Sequence, residues 1–198
     1  MTASRPRWVV FDWGKVLSRP TAALPRLAAA LGADLEPFRA AYSELRARYD
    51  VDWDPLRYWS SVGDRVGARV DERLAAELTE IDNAGWLDVD PDSRRLVEEL
   101  RSRAVPMAVL SNAPSGFGRA VAEQPWADAF AHLVFSGDLG IAKPDPAIYE
   151  HLLGLLGARA SDCAFFDDRQ DNVDAAADLG MRAQLWQGAE RARDSLLP

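Results

Sequence analysis

Four short apolar runs, each ending at a polar residue, constrain this chain more than any other feature. Trp8-Val9-Val10-Phe11 stops at Asp12, and Met107-Ala108-Val109-Leu110 stops at Ser111. Leu133-Val134-Phe135 stops at Ser136, and Cys163-Ala164-Phe165-Phe166 stops at Asp167. Their length and β-branched or aromatic content predict buried strands, and Arg182 to Trp186 reads as a fifth. Helical patterns occupy 91–103, 118–123, 146–156 and 172–179. Asp90 and Asp145 stand as N-caps before Pro91 and Pro146, and Gly180 closes the last helix. Apolar strands alternating with amphipathic helices predict an α/β fold of three layers, a mostly parallel sheet covered on both faces.

Between the first and second strands the texture differs. Phe38, Tyr42, Leu45 and Tyr49 recur at spacings of four, three and four, and Leu56, Trp59, Val62 and Val66 repeat the pattern. These are helical stripes, and no strand pattern interrupts them. The chain of 198 residues therefore divides into a core of 1–18 with 87–198 and an inserted helical bundle of 19–86. Only the last ten or so residues look dispensable.

Composition narrows the partners. Asp+Glu outnumber Lys+Arg by 31 to 23, a net charge of -8. Such a surface repels phosphate backbones and anionic lipid, so neither nucleic acid nor membrane is expected as a partner. A single cysteine, Cys163, excludes an intrachain disulfide and fits a cytoplasmic location. A monomer or homodimer is expected. Only two of the basic residues are lysines, Lys15 and Lys143.

In a parallel sheet, ligands bind outside the carboxyl ends of the strands. The residues following the strands are Asp12, Gly14 and Lys15, then Ser111 and Asn112, then Ser136 with Lys143 in the next loop, then Asp167 and Asp168. Taken singly, each has an ordinary structural reading as a turn, a cap or a solvated charge. Taken together, two adjacent carboxylates facing a third repel one another unless a cation sits among them. Oxygen donors with few imidazoles point to a hard ion, Mg²⁺.

Four segments carry a resemblance. Phe11-Asp12-Trp13-Gly14-Lys15-Val16-Leu17, Leu110-Ser111-Asn112, Ala142-Lys143-Pro144-Asp145-Pro146 and Phe166-Asp167-Asp168-Arg169-Gln170-Asp171-Asn172 look like the ordered motifs of the haloacid dehalogenase-like hydrolases. The helical insertion resembles the cap of that superfamily's haloacid dehalogenase and phosphoglycolate phosphatase branch. The resemblance implies a Rossmann-like core and a Mg²⁺-dependent phosphatase acting on a small phosphorylated metabolite, such as a sugar phosphate. It implies Asp12 as nucleophile, forming an aspartyl-phosphate, and Lys143 as the cation between nucleophile and phosphate. Ser111 and Asn112 would bind the phosphoryl group. Asp12, the carbonyl of Gly14, Asp167 and Asp168 would hold Mg²⁺, Asp168 being the stronger ligand and Asn172 falling where a second acid often sits.

Two alternatives follow from the same resemblance. A 2-haloacid dehalogenase of the family needs no Mg²⁺ and carries small hydroxyl residues where Asp167 and Asp168 stand, which disfavours that reading. A catalytically idle binding protein would be expected to lose its clustered charges, and here they are present. One departure stands out: the family's phosphatases carry a second aspartate as general acid where this chain has Gly14, in an Asp-x-Gly-x-Val motif. Better leaving groups, a water or a cap residue are the routes left open. In the cap, Arg46, Arg48, Trp53, Arg57 and Tyr58 are the residues to inspect for substrate contact, with Arg46 and Arg48 off the apolar stripe and expected in solvent. Trp13 either lines the cleft entrance or packs on the cap hinge. Lys15, where the family often has glycine, points into the cleft as a substrate contact or out towards the cap.

Overall fold

The computed structural model describes residues 6–197. The apolar runs form β1 (Trp8–Phe11), β2 (Met107–Ser111), β3 (His132–Phe135), β4 (Cys163–Asp167) and β5 (Arg182–Leu185). They make one sheet in the order β3-β2-β1-β4-β5, with every neighbouring pair parallel. Phe11 pairs with Val109 on one side and Phe166 on the other. One step further along the strands, Asp12 and Asp167 therefore reach the same edge of the sheet. That edge lies at the switch point where the chain, having built one side of β1, crosses to the other.

Ten α-helices accompany the strands among the described residues. The inserted ones are α1 (Leu24–Ala30), α2 (Leu35–Tyr49), α3 (Pro55–Val66) and α4 (Glu72–Trp86). The rest are α5 (Pro91–Ser102), α6 (Ser115–Ala122), α7 (Ser136–Leu139), α8 (Pro146–Leu156), α9 (Gln170–Asp178) and α10 (Ala189–Leu196). Caps fix several of their starts. The Asp90 carboxylate accepts from the amides of Asp92 and Ser93 ahead of α5, and that of Asp145 accepts from Ala147 ahead of α8. None of the described helices is long and apolar enough to cross a membrane.

Strand alternation sends side chains to two apolar layers. Val9, Phe11, Val109 and Phe166 pack with Leu96, Leu100, Phe117 and Leu196 on one face of the sheet. Val10, Ala108, Leu110 and Phe165 pack with Ile148, Tyr149, Leu152 and Ala176 on the other. The inserted helices gather around a third cluster of their own, with Leu27, Phe38, Tyr42, Tyr58, Trp59 and Leu78 at its centre. Two chain segments join insertion and core side by side. Ser18 and Val89 form an antiparallel bridge, and the amides of Asp90 and Arg19 donate to the carbonyls of Leu17 and Asp88, both at 2.9 Å.

The C-terminal residues differ from expectation. Instead of a loose tail they form α10, which buries Ala192 and Leu196 in the first core layer. Arg193 on its outer side binds the Glu99 carboxylate of α5 through Nε at 2.8 Å and NH2 at 3.0 Å. Eight residues with three apolar positions look weak in isolation, and only the flank of α5 reveals what they cover.

Candidate active site

The strand ends bring the charged residues together around one lysine. Lys143 Nζ donates to Asp12 Oδ1 at 2.9 Å, to Asp167 Oδ2 at 2.5 Å and to the Leu110 carbonyl at 2.7 Å. Those bonds use all three ammonium protons around a compact charge, a geometry that a planar guanidinium cannot reproduce. The loop bearing Lys143 is fixed by Asn112, whose amide donates to the Lys143 carbonyl and accepts from the Lys143 amide, each at 2.8 Å. Both ends of the Asn112 side chain are thereby engaged with backbone.

The paired acids after β4 occupy different environments. Asp167 is fully buried; its Oδ2 binds Lys143, and its Oδ1 accepts from the Arg169 amide at 2.9 Å and from Asn172 Nδ2 at 3.0 Å. Asp168 is partly exposed and faces the open cleft, where Lys15 Nζ lies 3.5 Å from its carboxylate. Asp12, Asp167 and Asp168 each present a carboxylate oxygen within 4.8 Å of the others. Asn172 adds an oxygen: its Oδ1 is buried without a hydrogen-bond partner beside this cluster. An orphaned acceptor next to three carboxylates is a donor set that suits a hard divalent cation.

Burial and neighbouring charge set the protonation tendencies. Burial raises the Asp12 carboxyl above the usual carboxylate range, with Asp167 adding to the effect and Lys143 opposing it. For Lys143 burial acts downward, but the two carboxylates outweigh it and the ammonium is held above its ordinary value.

Above the strand ends lies a cleft of about 570 Å³. Asp12, Gly14, Lys15, Ser111, Asn112, Lys143 and Asp168 line it from the core. Gly14 has room for a β-carbon, which would meet the Trp86 indole at 3.6 Å. Trp13 lines the cleft and also packs beside the junction with the insertion: its indole stacks on Trp126 at 5.0 Å and donates to the Trp86 carbonyl at 2.8 Å.

The inserted helices line the opposite wall, and here the expectations change. Arg46 is not in solvent. Its Nε donates to Asp50 Oδ1, and its NH1 donates to Asp82 Oδ2 and to the Tyr42 hydroxyl, all at 2.7 Å. Tyr42 and Asp82 lie on the apolar stripes of α2 and α4, so buried acceptors turn the guanidinium inward. Arg48 remains exposed, as does Arg57, which covers the Trp53 ring at 4.7 Å. Trp53 and Tyr58 belong to the apolar cluster of the insertion and not to the cleft.

Two residues escaped the motif reading. Asp50, next to the end of α2, is buried and lines the cleft across from Asp12. Burial pushes its carboxyl up to about 6 against the pull of Arg46, with Asp82 and Asp12 adding to the rise. Its carbonyl accepts from the Ser136 hydroxyl at 2.5 Å, and Ser136 Oγ accepts from the Ala113 amide at 2.9 Å. Ser136 is thus the clamp between the insertion and the ends of β2 and β3. Its position after a strand was the available signal; for Asp50 there was none.

Comparison with known proteins bears on this arrangement. The family model for haloacid dehalogenase-like hydrolases matches residues 6–180. Phosphatase MT3486 of Mycobacterium tuberculosis is 32% identical over 123 residues, covering 61% of this chain and 57% of that protein. The structure of L-2-haloacid dehalogenase from Xanthobacter autotrophicus superposes with a TM-score of 0.70 at 20% identity, covering 89% of this chain and 75% of that one. A haloacid dehalogenase family enzyme of Bacteroides thetaiotaomicron, solved with magnesium and inorganic phosphate, gives 0.64 at 17% identity over 90% and 92% of the two chains. With the four motifs, the parallel sheet and the match to most of its length, the chain belongs to the haloacid dehalogenase-like hydrolases.

Proposed function

We propose that this hydrolase is a Mg²⁺-dependent phosphomonoesterase of a small phosphorylated metabolite, with Asp12 as nucleophile. The observation that carries the reading is the cluster of Asp12, Asp167 and Asp168 oxygens within 4.8 Å, beside the orphaned Asn172 Oδ1. A dehalogenase of this family has no use for such a donor set. Asp12, Asp168 and the Gly14 carbonyl would hold Mg²⁺, with Asn172 close by and Asp167 in support. The ion, when bound, supplies positive charge to the phosphoryl oxygens.

The remaining work falls to the chain's own groups. Lys143 binds Oδ1 of Asp12, leaving the other oxygen to attack phosphorus. Asp167 holds Lys143 in place with its second carboxylate oxygen tied to Arg169 and Asn172. Ser111 donates to a phosphoryl oxygen, and Asn112 serves by fixing the Lys143 loop. Lys15 faces the same space and adds a cationic contact for phosphate. Residues 19–86 act as the cap that excludes water from the cleft, and a volume of about 570 Å³ suits a metabolite and not a polymer.

The test is a panel of sugar phosphates and other small phosphoesters, with Mg²⁺ or EDTA, on the wild-type chain and Asp12→Asn. Hydrolysis that requires the metal and disappears in Asp12→Asn is expected. Undiminished turnover in EDTA, or in Asp12→Asn, overturns the proposal. A dehalogenase would instead release halide from 2-haloacids in EDTA.

A further inference from the structure

We infer that Asp50, carried by the cap, is the general acid and base of this site and takes the role left vacant at Gly14. The inference rests on the phosphatase reading above and goes on to assign its missing proton donor. Elimination supplies the first argument. The cleft is lined by the carboxylates of Asp12, Asp50 and Asp168, with no histidine, tyrosine or cysteine among its lining residues. Asp12 is committed to attack and Asp168 to the cation, which leaves Asp50. Among the cations of the cleft, Arg46, Lys143 and Arg169 are each held above their ordinary values by the carboxylates they pair with, which keeps their protons in place.

Position supplies the second. Asp50 lines the cleft from the inserted helices while Asp12 lines it from the strand ends, so an in-line attack by Asp12 would send the alcohol towards the wall that carries Asp50. The Ser136 clamp on its carbonyl ties it to the ends of β2 and β3 across 86 residues of sequence. Its own side chain is oriented by Arg46, whose Nε takes Oδ1 and leaves the second oxygen for the substrate. A general acid must be held within hydrogen-bond reach of the departing oxygen, and these contacts provide a rigid mount.

Charge supplies the third. The groups facing Asp50 are Arg46 and Tyr49 from the adjoining α2, Asp82 from α4, Tyr58 from α3 and Asp12 from the end of β1. Arg46 is shared with Asp82, so its pull on Asp50 is divided, while Asp12 and Asp82 repel a second negative charge. Burial does the most, and the carboxyl is pushed up to about 6. The carboxyl therefore keeps its proton over a pH range in which an ordinary aspartate has lost it, the direction an acid catalyst requires.

The free oxygen of Asp12 forms a bond to phosphorus as the bond from phosphorus to the ester oxygen breaks. The Asp50 carboxyl gives its proton to that oxygen, so the alcohol leaves neutral and Asp50 becomes a carboxylate. In the second half, water adds to the phosphorus of the aspartyl-phosphate while Asp50 takes a proton from it. The bond from phosphorus to Asp12 breaks, inorganic phosphate leaves, and both aspartates return to their starting states.

Leaving-group dependence tests this with aryl phosphates of one size. With Mg²⁺, 4-nitrophenyl phosphate has a leaving group that needs little protonation, whereas phenyl phosphate needs more. Asp50→Asn keeps an acceptor for Arg46 and the backbone clamp. Its loss of kcat on phenyl phosphate is expected to exceed its loss on 4-nitrophenyl phosphate at least about tenfold, within the ~10²–10⁴ range of general acid catalysis. Asp50→Glu, which can still carry the proton, should recover part of the phenyl phosphate rate. In the wild-type chain, the ratio of phenyl to 4-nitrophenyl turnover should fall as pH rises past the Asp50 value, a readout that needs no variant. Equal losses on both esters, or a ratio independent of pH, overturn the assignment. Asp12→Asn separates the two readings: if it retains turnover, the phosphatase reading falls and this inference with it. If it is inactive while Asp50→Asn affects both esters equally, only the role of Asp50 falls.

Discussion

Lys15 holds its backbone at φ 60, in the left-handed region that an L side chain occupies at a cost of about 1 kcal/mol. That conformation gives a physical reason for glycine where the family resemblance leads one to expect it. The lysine gains little stability in return, because its pairing with Asp168 spans 3.5 Å with more than half of the Lys15 side chain exposed. The same ammonium sits beside the oxygen proposed to bind Mg²⁺ and competes with the ion. Lys15→Gly is therefore expected to gain about 1 kcal/mol in urea denaturation and to bind Mg²⁺ more tightly in a metal titration. Lower stability and unchanged metal affinity would show that neither strain nor competition operates. Lys143 is the contrasting case. Its three short bonds in a buried site explain a lysine in a chain that otherwise uses arginine, and its place in a motif made it conspicuous from sequence.

Among the elements, α10 and α2 show how local patterns mislead when the partner is distant. Each position of α10 looks ordinary, yet Leu196 is 4% exposed and joins a layer built from β1, β2, β4 and α5. Leu196→Ala is expected to cost about 2–4 kcal/mol, read as a lower midpoint in denaturant with no change in the dependence of activity on Mg²⁺. A cost below about 0.5 kcal/mol would return the helix to the status of a dispensable tail. On α2 the apolar stripe correctly marks Phe38, Tyr42 and Tyr49 as buried. Arg46 lies off that stripe and is nonetheless drawn inward, because Asp82 of α4 and the Tyr42 hydroxyl offer acceptors that a hydrophobic count does not register. Helical spacing reports which face is apolar; it is silent on which polar group finds a buried partner.

For the whole molecule, buried acids tie stability to pH. Asp50 has a folded value of about 6 against an ordinary 3.8, so between these limits the native state binds more protons than the unfolded chain. Stability from this group is present in acid and declines as pH rises through that window, by roughly 3 kcal/mol in all. Urea melts in EDTA should show wild type losing stability relative to Asp50→Asn between about pH 4 and 6 and running parallel to it above. A gap that stays constant across that range would mean the carboxylate is as comfortable folded as unfolded. The strands, the helical insertion and the gathering of Asp12, Ser111, Lys143, Asp167 and Asp168 on one edge were legible in the sequence. Strand and helix patterns are local, and in a parallel sheet every strand delivers its last residue to the same side. The division of labour between Asp167 and Asp168, the inward turn of Arg46 and the placing of Asp50 over Asp12 were decided only by tertiary structure. They depend on contacts such as Lys143 with Asp12, 131 residues apart, and Ser136 with Asp50, 86 apart. No local pattern encodes such pairs, because their energy arises only when the core and the insertion are folded against each other.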